Sequence, residues 1–153
     1  MTTDRVDIGQ TQQASYQALL HLHTVSENAA LEVGIDHRLI ELIKIRASQI
    51  NGCAFCLRMH TADAVKYGET VERLAVLSAW RETEYFTETE EAALELAEYL
   101  TNVSHAELTE DVRQRAAKAL TNEQIAAVHW LTIVINAWNR VALSSHLPVH
   151  PEA

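Results

Sequence analysis

Glycine and proline are scarce in this sequence, with 4 glycines and 2 prolines among 153 residues. Architectures of many short strands need frequent Gly/Pro turns, so the shortage argues against an all-β protein and favours few, long elements. Four scattered glycines also cannot form the glycine-rich loop that binds a nucleotide. The chain is therefore expected to need no bound organic cofactor.

Basic residues are also in short supply, since 12 Lys and Arg stand against 21 Asp and Glu for a net charge of −9. Without a basic cluster, this balance argues against nucleic acid and anionic membranes as partners. The most apolar stretch, residues 125–143, contains His129, Asn136 and Arg140, which would be costly in a bilayer. It is predicted to be a buried helix, with His129 a hydrogen-bonded core histidine.

Cysteine occurs only twice, at Cys53 and Cys56. A secreted scaffold built on disulfides would have more cysteines and would spread them along the chain. Residues 1–5 show no basic region leading into an apolar segment, so no signal peptide is expected. These features favour the cytoplasm, where a cysteine pair more often serves redox chemistry or metal binding.

Apolar residues recur at helical spacing from end to end, which predicts one all-α domain over residues 1–153 with about seven helices. Thr87-x-x-Glu90 and Thr121-x-x-Gln124 are capping boxes that open helices. Asn51-Gly52 is a helix stop, because both residues tolerate the left-handed conformation. The predicted helices cover about residues 12–27, 38–50, 53–67, 71–80, 92–103, 109–120 and 121–145.

Cys53, Cys56 and His60 stand at i, i+3 and i+7 on one predicted helix face. The two cysteines lie at the helix start, where free N–H groups and the macrodipole favour the reactive thiolate. His60, one turn beyond Cys56, can act as a base toward that thiol. Two thiols at this spacing can also close a disulfide, so these are the components of a dithiol peroxidase.

The same residue types leave two alternatives open. One is a zinc-binding oligomer, although one continuous helix would spread Cys53 and His60 over roughly 10 Å of axis, and zinc sites usually combine a turn with a second element. A fourth ligand would have to come from His37 or Glu41. The other alternative is a non-catalytic redox sensor or scaffold that uses the same disulfide.

Glu41 allows two interpretations. If the helices on either side of Asn51-Gly52 are antiparallel, Glu41 and His60 lie at similar heights and the carboxylate can orient the imidazole. Against this, the helical periodicity places Glu41 opposite the apolar stripe and beside Lys44 at i+3, which is the pattern of an exposed ion pair.

The polar side chains of the last predicted helix include Asn136, Asn139 and Arg140. Since buried polar groups need hydrogen-bond partners, these are expected to bond across a contact between subunits. His21 and His23 are too close in sequence to share one helix face and are expected at the surface. The large side chains of the last helix, expected in the core or at a subunit interface, are Trp130, Ile133 and Trp138.

A glutamate, eleven residues, then Cys-x-x-Cys-x-x-x-His, with Asn-Gly just before the first cysteine, resembles the alkylhydroperoxidase D-like branch of the carboxymuconolactone decarboxylase superfamily. The core motif covers about residues 38–68, and residues 135–140 are similar to the last helix of single-domain members. The resemblance implies the all-α alkylhydroperoxidase D-like fold. It also implies a homo-oligomer, often a trimer or a hexamer.

The resemblance implies thiol-dependent reduction of hydroperoxides in which Cys56 is oxidised first and Cys53 resolves it, with Glu41 and His60 relaying protons. An external dithiol, or a reductant of the lipoyl or thioredoxin type, would supply the electrons. The best-defined peroxidase members have a histidine immediately before the second cysteine, where this chain has Phe55. The true decarboxylases of the superfamily lack the cysteine pair, which argues against lactone decarboxylation.

Overall fold

The computed structural model describes residues 5–151, and over that range the chain forms eight α-helices, one 3₁₀-helix and no β-strand. Residues 1–4 and 152–153 of the predicted domain lie outside the described residues, and so does most of the N-terminal segment in which no signal peptide is expected. The elements are α1 (Ile8–Thr11), α2 (Gln13–Glu32), α3 (His37–Asn51), α4 (Ala54–Lys66), α5 (Val71–Val76), a 3₁₀-helix (Leu77–Glu82), α6 (Glu88–Thr101), α7 (Glu110–Ala119) and α8 (Asn122–Ser145). Between residues 5 and 151 no helix has both the length and the apolar character needed to cross a membrane.

The predicted all-α architecture is confirmed, and the helix ends differ from the predicted ones where local signals are weak. The predicted helix over residues 71–80 is interrupted, because α5 gives way to the 3₁₀-helix and Ala79 leaves helical geometry at φ −120°. Helix α2 runs to Glu32 instead of residue 27, and the chain turns only at Gly34, where φ is +84°. The short helix α1 was not predicted.

Polar caps determine where several helices begin. The Asp36 carboxylate accepts a hydrogen bond from the Leu39 N–H at 2.9 Å and so starts α3. Both predicted capping boxes are present, at Thr87 before α6 and at Thr121 before α8. Each cap satisfies N–H groups that the first helical turn leaves unpaired.

Helix α3 is the centre of the fold, packed against α4, α6 and α8. Because neighbours cover it on all sides, its polar side chains Glu41, Lys44 and Ser48 are buried as well. The expectation of an exposed Glu41–Lys44 pair is therefore wrong about exposure. The apolar residues that α3 buries are Leu39, Ile40, Leu42, Ile43, Ile45 and Ala47.

A tight turn joins α3 to α4. Gly52 takes the left-handed conformation at φ +68°, and the Cys53 N–H donates back to the Ser48 carbonyl at 3.0 Å. This is the Schellman arrangement that the Asn51-Gly52 pair predicts. It reverses the chain so that α4 packs against α3 and begins directly after Cys53.

The asparagines of α8 bond within the chain. Asn139 donates to the Ser48 hydroxyl at 2.9 Å, and the Asn51 amide donates to Asn139 at 2.8 Å and to Asn136 at 2.9 Å. Arg140 donates to the Asn136 carbonyl of its own helix. The side chains of Asn136 and Asn139 thus find their partners within the chain, where α8 packs along α3, so neither needs a bond across a subunit contact.

The remaining α8 side chains divide between the surface and the interior. Trp130 and Ile133 are 51% and 43% exposed, so neither is a core residue. Trp138 packs edge-on against Tyr16, with 5.1 Å between ring centroids. Within residues 5–151 the buried Nε2 atom of His129 has no hydrogen-bond partner, contrary to expectation, and burial lowers the pKa of this imidazole.

We expect Asn139→Ala to destabilise the fold, because Ser48 and Asn51 would each lose a buried hydrogen-bond partner. The free energy of unfolding should fall by about 1–3 kcal/mol, measured by urea denaturation.

Ser144→Ala is the matched control on the same helix, since its exposed hydroxyl bonds to carbonyls of α8 itself. The free energy of unfolding of Ser144→Ala should fall by no more than about 0.5 kcal/mol. Equal losses for the two variants would contradict a stabilising role for the Asn139 bonds.

Candidate active site

Cys53 and Cys56 form a disulfide at the start of α4, with 5.4 Å between their Cα atoms. Both residues are buried, and Cys53 caps the helix with its sulfur accepting from the Cys56 N–H at 3.3 Å. The predicted ability of this spacing to close a disulfide is confirmed. In this oxidised state neither sulfur is a thiolate, the form that binds zinc.

Glu41 and His60 meet across the α3–α4 hairpin. The Nδ1 atom of His60 lies 2.7 Å from Oε2 of Glu41, and each residue is only 4% exposed. The other Glu41 oxygen accepts a hydrogen bond from the Lys44 ammonium at 2.9 Å. Both predicted contacts of Glu41 are thus present, because one carboxylate contacts the lysine and the histidine, but the pair with Lys44 is buried.

Lys44 links Glu41 to α2, because its ammonium also donates a hydrogen bond to Glu27 of that helix. Nε2 of His23 lies 3.4 Å from the same Glu27 oxygen. We call His23, Glu27, Lys44, Glu41 and His60 the ionic chain. Burial alone would raise the pKa of Glu27, but hydrogen bonds from His23 and Lys44 outweigh it and lower the pKa to about 2, so this carboxylate is ionised at neutral pH.

A cavity of about 310 Å³ opens beside the disulfide, and Cys56 and His60 both line it. Cys53 instead lines a separate, smaller depression of about 170 Å³. A small molecule in the larger cavity therefore lies beside both Cys56 and His60. The other lining residues are mostly apolar: Tyr16, Leu20, His23, Phe55, Met59, Trp138, Val141, Ala142 and Leu147.

His23 is the site residue that the sequence interpretation missed. It was expected at the surface with His21, but it is half-buried and lines the cavity, while His21 is exposed. A signal was available, because Tyr16, Leu20, His23 and Glu27 follow one another at steps of four, three and four residues and so form one stripe of α2.

The predicted zinc ligands do not all come together, although Glu41 meets His60. His37 is exposed and stacks on Tyr67 with ring centroids 4.3 Å apart. Tyr67 follows the C-terminal end of α4, whereas the cysteines lie at its start, about 20 Å away by helical rise. Among residues 5–151, the acidic and imidazole groups close enough to share an ion are Glu41, His60 and Asp63, without a cysteine.

The chain is similar to known proteins in both sequence and structure. YdfG, an uncharacterized protein of Bacillus subtilis (strain 168), is 39% identical over 118 residues, which is 77% of this chain and 80% of YdfG. A crystal structure of an Agrobacterium tumefaciens protein of unknown function, named a candidate antioxidant defence protein AhpD, superposes with a TM-score of 0.86 at 30% identity and covers 97% of this chain and 99% of its own.

An uncharacterized peroxidase-related protein from Silicibacter sp. TM1040 shares the fold, with a TM-score of 0.68 at 21% identity over 84% of this chain and 69% of its own. Residues 15–99, which hold Glu41, both cysteines and His60, match the model of the carboxymuconolactone decarboxylase family. The motif, the fold and this match agree, and the chain belongs to the carboxymuconolactone decarboxylase family.

Proposed function

We propose that this protein is a thiol-dependent hydroperoxide reductase in which Cys56 is the peroxide-reacting residue. The observation that carries the proposal is that Cys56 shares an apolar cavity with His60, whose ring a buried carboxylate holds. The similar Agrobacterium tumefaciens protein, a candidate for antioxidant defence, supports the same class of activity.

The proposed cycle has three steps. The Cys56 thiolate attacks the terminal oxygen of the hydroperoxide, the O–O bond breaks, and the products are a sulfenic acid on Cys56 and an alcohol. The Cys53 thiol then condenses with the sulfenic acid to give the disulfide and water. An external dithiol, or a reductant of the lipoyl or thioredoxin type, restores both thiols by exchange.

His60 is the proposed base that removes the Cys56 proton. Glu41 contacts Nδ1 of the imidazole, so Nε2 is the nitrogen left to accept a proton. The position of Cys56 in the first turn of α4 also favours loss of the thiol proton, because N–H groups at a helix start stabilise a thiolate. Phe55 takes no part in the relay, since its ring cannot carry a proton.

The walls of the cavity favour organic hydroperoxides. Phe55, Met59 and Trp138 offer apolar surface in a space of about 310 Å³. Such a surface gains free energy by covering an alkyl or aryl group, roughly 25 cal/mol for each Å² removed from water. The volume is enough for a small organic substituent next to the sulfur.

A homo-oligomer, trimer or hexamer, is also part of the proposal. Trp130 and Ile133 belong to an exposed apolar stripe on α8 with Ala126, and the half-buried Ala137 continues it. A second subunit on this stripe would cover the Trp130 ring, which is large enough to anchor an interface. We propose the cytoplasm as the location, since dithiol reductants maintain reduced thiols there.

The roles of the two cysteines can be separated by substitution. Cys56→Ser should abolish peroxide consumption, whereas Cys53→Ser should still react once and retain a sulfenic acid on Cys56, detected by a dimedone-type probe. Reduced wild-type protein should lose two titratable thiols without forming covalent dimers.

Full activity in Cys56→Ser with an inactive Cys53→Ser would reverse the assigned roles. Disulfide formation without turnover in the presence of a dithiol would favour the redox-sensor alternative, and zinc bound to purified reduced protein would favour the metal alternative.

His60→Ala should slow the oxidation of Cys56 by about 10²–10⁴-fold near neutral pH, the usual range for general-base catalysis. The loss should shrink at high pH, because the thiol then ionises without help. Glu41→Gln should give a smaller loss if Glu41 acts by orienting His60. Stopped-flow oxidation of Cys56 across a pH series measures the rates of wild type, His60→Ala and Glu41→Gln.

His37→Ala is the matched control, because this exposed histidine stacks on Tyr67 away from the cysteines. Its profile should follow that of wild type. If the His60→Ala profile also superimposes on wild type, His60 is not the base.

Trp130→Glu should dissociate the proposed oligomer, because a carboxylate would be buried without a partner in the subunit contact. Light scattering at micromolar concentration should give a multiple of 17.1 kDa for wild type and the monomer mass for the variant. Val71→Glu, at an exposed apolar position on α5, should leave the mass unchanged. A wild-type mass of 17.1 kDa would contradict the oligomer.

A further inference from the structure

The cavity at Cys56 contains a second imidazole that the proposed cycle leaves without a role. His23 reaches this cavity from α2, a different element from the one that carries Cys56 and His60. We propose that His23 is the general acid of the reaction and donates the proton to the oxygen that leaves when the peroxide bond breaks. The inference rests on the proposed function and adds a catalytic residue to it.

The position of His23 is held by named contacts. Its Nε2 lies 3.4 Å from Glu27, and its ring meets the Trp138 ring edge-on with 6.3 Å between centroids. Glu27 in turn accepts a hydrogen bond from Lys44, which also holds Glu41. The ionic chain therefore orients both imidazoles of the cavity, His23 at one end and His60 at the other.

The cavity needs a proton donor for the leaving oxygen. An alkoxide is a strong base, and its charge is poorly solvated beside apolar walls, so it leaves slowly unless it is protonated as it forms. His60 holds the thiol proton one helical turn from Cys56 on α4, whereas His23 enters the cavity from α2. Besides the two histidines and Cys56, the titratable side chain that lines the cavity is Tyr16. Histidine suits the task better than tyrosine, because imidazole exchanges protons near neutral pH.

The step balances in atoms and charge. The Cys56 thiolate supplies the electron pair for the new S–O bond to the terminal peroxide oxygen, and the O–O bond breaks. The leaving oxygen takes the proton from the His23 imidazolium and departs as an alcohol, while Cys56 becomes a sulfenic acid. His23 then regains a proton from solvent, to which 24% of its side chain is exposed. His60 releases the thiol proton to solvent in the cavity, so no net proton is gained or lost.

Two oxidants with different leaving groups test the inference. tert-Butyl hydroperoxide must expel an alkoxide, whereas peracetic acid expels acetate, which is stable without a proton. In His23→Gln, stopped-flow oxidation of Cys56 by tert-butyl hydroperoxide should slow by about 10²-fold or more, within the range of general-acid catalysis. Oxidation by peracetic acid should keep nearly its wild-type rate. A purely structural defect would slow both reactions alike.

His21→Gln is the matched control, two residues away on α2 and exposed, and it should leave both rates unchanged. Tyr16→Phe tests the other donor and should change both rates by the same factor. If His23→Gln does not fold, as judged by circular dichroism, His23→Asn takes its place.

The inference is overturned if the His23 variant slows both oxidants equally or slows neither. It is also overturned if the selective loss appears in Tyr16→Phe instead. Failure of the proposed function looks different, because the wild-type protein itself would then not react with tert-butyl hydroperoxide.

Discussion

The burial of Lys44 between two carboxylates is the constraint on which the site depends. An ammonium in the interior without a partner costs several kcal/mol, and the carboxylates of Glu27 and Glu41 both point toward Lys44. Each carboxylate also contacts an imidazole, which fixes His23 and His60 as well. The charge balance of one buried lysine thus sets the geometry of two rings in the same cavity.

The hairpin between α3 and α4 supplies the other half of the arrangement. Gly52 lets the chain reverse within one residue, and Cys53 then caps α4 while Cys56 faces the cavity. The Asn139 bonds to Ser48 and Asn51 attach this turn to α8. The two cysteines consequently open onto different spaces, Cys56 beside the imidazoles and Cys53 beside the smaller depression.

Capping residues in the sequence predicted where two helices begin. The capping residues Thr87 and Thr121 begin the helices that they were expected to begin, because a cap acts within three residues of its own position. The interruption of the helix over residues 71–80 and the extension of α2 were missed, because packing by distant segments decides between conformations of similar local energy. The same limit explains why the expected exposure of Glu41 was wrong.

The sequence by itself determined the all-helical class, the cysteine pair at a helix start and the histidine one turn beyond it, because spacing along one helix translates directly into position. Tertiary structure alone decided that α3 is covered on every side, that Lys44 is shared between α2 and α3, and that His23 belongs to the site. These contacts join residues far apart in the chain. Periodicity within a single helix shows which residues share a face but does not show which other element that face will meet.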